Sequence, residues 1–278
     1  CNADSFFKAF QNTASRTRTP GSIIEKIDGT DIKAGEDYNA LLDGKAGKNI
    51  RLTIKNAKGK RFDLTIKAIS QGAQQELLYK RWVDRNRAIV DSVSHGRIAY
   101  VHVKAMNSES FRTVYSELLS EKNRTKDAVI VDERHNGGGW LHDDLCTLLS
   151  GKQYQEFVPH GKVVGKDPFN KWTKPSCVLI CEDDYSNGHG FPWVYKELGI
   201  GKLIGAPVAG TMTAVWWETL MDRSLVFGIP QVGCRDMRGT FGENTTLQPD
   251  IEVYNSPEDY ITGHDTQLIR AVEEMMKK

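Results

Sequence analysis

The sequence predicts an α/β (α+β) protein, with a mixed or mostly parallel β-sheet covered by helices, preceded by a small β-rich module. Three observations carry this expectation. Short, largely apolar runs at 98–103, 128–132, 177–181 and 203–205 alternate with stretches of helical period, as strands buried on both faces alternate with the helices that cover them. Ahead of residue 70, apolar and polar residues alternate between turn signals, the pattern of strands with one wet face. The length of 278 residues exceeds one average domain and suits one main core with a smaller companion.

Taken in order, 22–32 reads as a strand, a tight turn at Asp28-Gly29 and a short strand. Residues 37–42 make a helical turn closed by Gly44, and 49–55 and 61–67 are two alternating strands joined by Asn56-Ala57-Lys58-Gly59. This pattern is similar to the second half of a PDZ domain. Residues 1–20 are too few and too polar to supply the remaining strands, so 1–70 is expected to be an incomplete PDZ-like domain. Within 71–96, Leu77, Leu78, Trp82, Val83, Ile89 and Val90 recur at helical spacing before Gly96, which predicts a linking helix. From 97 to 278 the expected elements are strand 98–103, helix 108–119, strand 128–132, helix 142–149, buried strand 177–181, helix 190–198, strand 203–205 and an amphipathic closing helix at 265–276.

Lys plus Arg (37) nearly balance Asp plus Glu (36), so net charge gives no pull toward nucleic acid or an anionic membrane. No apolar stretch is long enough to span a bilayer and no charged-then-apolar leader opens the chain. A mature chain or a fragment, cytoplasmic or periplasmic, is expected; Cys1 is either the lipid-bearing first residue of a lipoprotein or simply a boundary. Five cysteines are an odd number, and Cys177 and Cys181 sit in an apolar run. They read as buried free thiols rather than a disulfide framework. Neither a CxxC pair nor a histidine cluster accompanies them, so no metal and no cofactor is expected.

Two segments carry chemistry. The apolar strand Val129-Ile130-Val131 runs through Asp132-Glu133-Arg134-His135-Asn136 into Gly137-Gly138-Gly139. Glycines at a strand end let backbone N–H groups converge on an anion. A phosphate cradle and an oxyanion hole both use that property, and a plain glycine turn uses neither; the GxGxxG and Walker patterns are absent. The second segment follows Val178-Leu179-Ile180 and reads Asp183-Asp184-Tyr185-Ser186-Asn187-Gly188-His189-Gly190. A serine on a sharp strand-to-helix turn lifts its hydroxyl clear of the sheet, beside the next residue's N–H. An ordinary turn or helix cap is the competing reading.

Read together, the blocks 78–83, Asn86-Arg87, 96–103, 132–139, Ser186-Asn187-Gly188, 198–205, Gly242-Glu243-Asn244 and Pro249-Asp250-Ile251 resemble, in order and spacing, the tricorn-type and tail-specific (C-terminal processing) serine peptidases. The likeness runs from about Leu77 to the C-terminus. It implies that Ser186 is the nucleophile, that the N–H groups of Gly139 and Asn187 form the oxyanion hole, and that Glu243 helps orient the catalytic histidine. Gly138, Thr211 and Glu156 would contact substrate, Glu156 near the acidic specificity position of the tricorn branch; a solvated surface glutamate is the competing reading. The expected reaction is hydrolysis of oligopeptides or unfolded polypeptide through an acyl-enzyme. Self-association is expected because tricorn-type enzymes assemble into rings.

The chain departs from the pattern at the general base. In the tricorn branch a helical segment ahead of the PDZ-like domain supplies the histidine, and 1–20 does not resemble it. The tail-specific branch uses a lysine beyond the serine, but none stands near Gly210 and Thr211, and Lys202 is poorly placed. The base is therefore expected from a segment outside this chain. Of the seven histidines, His102 reads as a packed strand residue and His95 and His264 as turn residues. His135, His142 and His189 flank the site, but none is expected to be the base; His189 comes closest to that role, although its place three positions from Ser186 on a turn favours pointing away. Trp216 and Trp217 are either a cleft wall or, more ordinarily for paired tryptophans, core packing. Two other functions stay open: a peptide-binding protein that keeps the fold without catalysis, and a glycine-loop phosphate binder.

Overall fold

The computed structural model describes residues 21–277; the expectations about Cys1 and residues 1–20 lie outside them. The first described elements are β1 (Ile23–Ile27), β2 (Thr30–Asp31), β3 (Asn49–Lys55) and β4 (Arg61–Lys67), forming an antiparallel sheet of order β2-β1-β3-β4. Asp28 and Gly29 take φ of 50° and 87°, the two left-handed positions of a type I′ hairpin turn. The Asp28 carboxylate accepts the Arg51 N–H at 2.7 Å and pairs with Lys45, tying the turn to β3. Ile50, Leu52 and Ile54, alternate residues of β3, join Ile27 and Ile66 in one small core. Helix α1 (Gln71–Val93) follows, and the boundary between two compact units falls within it, at Asp84/Arg85.

The second unit contains β5 (Ile98–His102), α2 (Ser108–Leu118), α3 (Glu121–Arg124), β6 (Ala128–Asp132), α4 (His142–Leu149), β7 (Gln155–Phe157), β8 (Gly165–Asp167), β9 (Ser176–Ile180), α5 (Asn187–Glu197), β10 (Lys202–Gly205), β11 (Thr213–Thr219), β12 (Val226–Gly233), β13 (Ile251–Glu252), α6 (Pro257–Thr262) and α7 (Thr266–Met276). Five strands form one sheet of order β13-β10-β9-β6-β5, and every pairing in it is parallel. Every residue of β5, β6 and β9 is buried, as required of strands covered on both faces. On one face Val101, Val129, Val131, Val178 and Ile180 pack with residues of α2, α4 and α5 in a single core. The opposite face receives the closing helix α7, through buried Leu268, Ala271 and Val272. Parallel order brings the carboxyl ends of β6 and β9 side by side, where open α/β sheets place their ligand sites.

Three features depart from the sequence reading. Helix α5 starts at Asn187, not Gly190. Two hairpins unforeseen in the sequence, β7–β8 and β11–β12, stand outside the main sheet. Trp216 and Trp217 lie on β11 with 60% and 69% exposure, so the core-packing reading of that pair is wrong. Cys146, Cys177 and Cys181 are buried free thiols, and Cys234 is partly exposed. No helix among the described residues is long and apolar enough to cross a membrane.

Candidate active site

Ser186 follows β9 by a short loop and caps α5, with φ 57° and ψ −116°. A non-glycine residue pays in strain for such a backbone, and it is held there only where its surroundings over-determine it. The surroundings are visible: the Ser186 N–H donates to Thr211 Oγ1 at 2.9 Å, and the His189 N–H donates to the Ser186 carbonyl at 2.9 Å. The Ser186 side chain makes no capping bond and is half-buried. Asn187 opens the helix, so its N–H belongs to the first turn, which lacks intrahelical acceptors, and the helix dipole favours negative charge there.

The glycine loop is fastened against this turn. Asn136, fully buried, donates from Nδ2 to the Val103 carbonyl at 2.8 Å and accepts the Gly138 N–H on Oδ1 at 2.8 Å. Its N–H donates to Asp184 Oδ1 at 3.1 Å, and its carbonyl accepts the Tyr185 N–H at 2.9 Å. Met106 pairs with Gly139 in a parallel bridge, through the Gly138 carbonyl at 3.0 Å and the Trp140 N–H at 2.7 Å. The Gly139 N–H therefore points away from Met106. Among the described residues neither it nor the Asn187 N–H has an acceptor. The contact between the loops is backbone against backbone. A Cβ on Gly138 (φ 94°) would lie 2.6 Å from Ser186 Cβ, and one on Gly188 would lie 2.8 Å from the Asn136 carbonyl. The side chain of Asn187 completes the join, accepting the Leu141 and His142 N–H groups at 2.7 and 3.1 Å. It thereby caps α4, whose own Leu141 cannot.

The histidines fall into separate settings. His102 is buried, with Nε2 3.2 Å from the Arg134 carbonyl, as expected of a packed residue. His189 turns from Ser186 to the Thr245 carbonyl at 3.1 Å, and burial lowers the pKa of its imidazole. His142 Nδ1 accepts from Asn187 Nδ2 at 2.8 Å, and His135 Nδ1 faces Asp183 Oδ2 at 3.0 Å. Among the described residues no histidine hydrogen-bonds the Ser186 hydroxyl. Glu243 Oε2 accepts the Thr213 N–H at 2.8 Å, two residues from Thr211. Glu156 lies on the β7–β8 hairpin, exposed, 3.3 Å from Lys166; no described contact joins it to the Ser186 turn. Lys202 pairs with Glu274.

Two carboxyls beneath the loops escaped the sequence reading. Burial pushes Asp184 up to about 8, against hydrogen bonds from the Cys181 and Asn136 N–H groups. Glu133 is fully buried and neither oxygen has a partner among the described residues; burial first, then the charges of Asp184 and Asp132, push it well above the carboxylate range. Beside the site, a cleft of about 340 Å³ is lined by His142, Trp193, Met212, Arg235 and Arg238.

A parallel α/β sheet thus presents, at the carboxyl ends of its strands, a strained serine turn and a glycine loop in contact. The sequence profile of peptidase family S41 matches residues 97–253, and the chain belongs to that family. It is similar to the Tricorn protease of Thermoplasma acidophilum, with 28% identity over 259 residues, covering 93% of this chain and 24% of the relative. It is also similar to the Tricorn protease homolog of Saccharolobus solfataricus, with 29% identity over 207 residues, covering 73% and 19%. Among solved structures, the crystal structure of the tricorn protease superposes with a TM-score of 0.79 at 28% identity, over 92% of this chain and 25% of that one. The chain spans between about a fifth and a quarter of the length of these relatives. The resemblance to tricorn-type peptidases and the α/β class with a helix-covered sheet, both expected from the sequence, are borne out.

Proposed function

We propose that this chain carries the nucleophile of a serine peptidase that hydrolyses oligopeptides or unfolded polypeptide through an acyl-enzyme on Ser186. Ser186 Oγ attacks the peptide carbonyl, and the N–H groups of Gly139 and Asn187 take the charge that develops on its oxygen. Losing one such donor typically costs about 10²–10³-fold in rate. Gly138 and Thr211 border the substrate, and Glu243 helps orient the catalytic histidine. That histidine comes from outside residues 21–277, a reading supported by the settings of the described histidines. The observation that carries the proposal is the strained Ser186 backbone, held against a glycine loop by bonds that leave two N–H groups unspent.

A peptide-binding protein without catalysis is the second reading, favoured by the lack of a described histidine on the Ser186 hydroxyl. Fluorophosphonate labelling of the full-length protein separates the two. The expected result is one adduct on Ser186, absent from Ser186→Ala. No adduct, or an adduct that survives that substitution, would overturn the peptidase proposal.

A further inference from the structure

The carboxyl ends of β6 and β9 bring together a second group of reactive side chains, on residues flanking the serine site. His135 Nδ1, Cys181 Sγ and an Asp183 carboxylate oxygen all lie within 4.8 Å of one another. The imidazole nitrogen is 3.0 Å from Asp183 Oδ2 and 3.8 Å from the sulfur. Two nitrogen or oxygen ligands sharing a tetrahedral zinc at about 2 Å are a little over 3 Å apart, and a sulfur–nitrogen pair about 3.6 Å. The two separations from His135 Nδ1 are therefore already close to those of a bound ion, and the sulfur and the Asp183 oxygen lie within 4.8 Å of each other.

One further contact favours a ligand over a chance cluster. The backbone N–H of His135 donates to Cys181 Sγ at 3.2 Å, a contact that stabilises a metal-bound thiolate against the burial that raises the pKa of the free thiol, whose S–H faces Asp184 Oδ1 at 3.6 Å. His135 itself sits in a turn with φ 68°, a left-handed backbone that histidine adopts more readily than most side-chain-bearing residues. It turns the ring toward residues 46 and 48 positions further along the chain. The sulfur is buried, whereas the His135 and Asp183 side chains are 47% and 74% exposed, which leaves solvent access for an ion and for a water in the fourth position.

We propose that His135, Cys181 and Asp183 form a site for a zinc-like divalent cation that clips the glycine loop to the serine loop. The donor set of thiolate, imidazole and carboxylate selects zinc or cobalt over calcium and magnesium, which prefer oxygen ligands. Binding replaces the S–H bond of Cys181 by a sulfur–metal bond, and the proton leaves to solvent. His135 binds through Nδ1 and keeps its proton on Nε2. The sequence gives no sign of the site because its ligands come from two strand ends rather than one short motif. The inference stands on these residues alone and is independent of the peptidase proposal.

Titration of the protein with Co²⁺ under a non-thiol reductant tests it. One equivalent should produce a thiolate-to-cobalt charge-transfer band with the intensity of four-coordinate cobalt, and Zn²⁺ should displace it. Cys181→Ser should abolish the band. His135→Asn, which tolerates the left-handed backbone, and Asp183→Ala should each weaken binding at least tenfold. These two alter exposed side chains, so they decide the matter even if the buried Cys181 variant fails to fold. No sulfur-to-cobalt band in the wild type, or unchanged affinity in both exposed-residue variants, would overturn the proposal.

Discussion

Asp132 and Glu133 are chain neighbours at the end of β6, both wholly buried, and the sheet sends them to opposite faces with opposite outcomes. On the α7 face, Asp132 accepts from Arg134 Nη2 and Nε at 2.7 and 2.9 Å and from the Tyr100 hydroxyl at 2.8 Å. Arg134 reaches on to Asp265 at 2.9 Å and to Gln267 at 3.0 Å, and Asp265 caps α7. Burial opposes the charged form of Asp132, yet the Arg134 guanidinium holds its carboxyl below the usual value. On the α4–α5 face, Glu133 has no hydrogen-bond partner among the described residues, and the nearby ionisable groups, Asp184, Asp132 and Cys146, are all acidic. One face is a satisfied ionic clip that fixes the closing helix. The other, beneath the candidate site, keeps a carboxyl neutral, and the contrast shows that burial alone does not decide whether a buried acid stabilises.

The largest effect should come from breaking the satisfied side. Arg134→Met leaves buried Asp132 and partly buried Asp265 without their cation, and loss of one partner of such a network costs about 3–5 kcal/mol. Urea unfolding of the two proteins at neutral pH measures it. A loss below about 1 kcal/mol would mean that the clip is not what holds α7 to the sheet.

The unsatisfied side should respond with the opposite sign. Because the folded-state pKa of Glu133 is raised, folding takes up a proton above the unfolded carboxylate pKa. Its contribution is best below about pH 4 and worsens as pH rises. Asp184, pushed up to about 8, acts in the same direction over the window from about pH 4 to 8. Asp132, whose folded pKa is lowered, contributes above the unfolded value and loses that contribution as the pH falls through the folded one. Glu133→Gln should therefore match the wild type near pH 4 and exceed it by about 1–3 kcal/mol at pH 8. Denaturation midpoints across that range, in chelator to exclude metal effects, check both sign and window. A constant difference at all pH values would show that Glu133 is ionised in the fold.

What the sequence disclosed follows from where each signal resides. The turns at Asp28-Gly29 and Asn56 to Gly59, and the buried strands β6 and β9, announce themselves in adjacent residues, and the elements lie within a residue of expectation. The start of α5 was hidden because Gly188, Gly190 and Pro192 are poor helix formers. Tertiary contacts, with Thr211 Oγ1 accepting the Ser186 N–H and Asn187 Oδ1 accepting the Leu141 N–H, hold the turn regardless. Trp216 and Trp217 misled because an apolar residue reports a preference for burial, not whether its strand belongs to the main sheet. In the candidate site, the Ser186 turn and glycine loop could be read because each is a local strand-end motif. Asn136 and Asp184, which fasten the two together from 48 positions apart, could not. Nor could the partnerless state of Glu133, since it depends on which groups the fold places around it.

The smallest effect should come from the link that joins the two loops by a side chain alone. Asn187 is placed by α5, yet its Oδ1 takes the Leu141 and His142 N–H groups at the start of α4. Replacing such a cap by alanine typically costs about 1 kcal/mol, far less than removal of Arg134. Asn187→Ala keeps the backbone N–H, the group proposed to meet the oxyanion, and removes only the tie to the helix that follows the glycine loop. Unfolding should shift by that small amount, while fluorophosphonate labelling of Ser186 in the full-length protein should slow by more than the stability change explains. Equal labelling rates would mean that Asn136 and Asp184 suffice to hold the loops in register, making the Asn187 side chain a helix cap and nothing more.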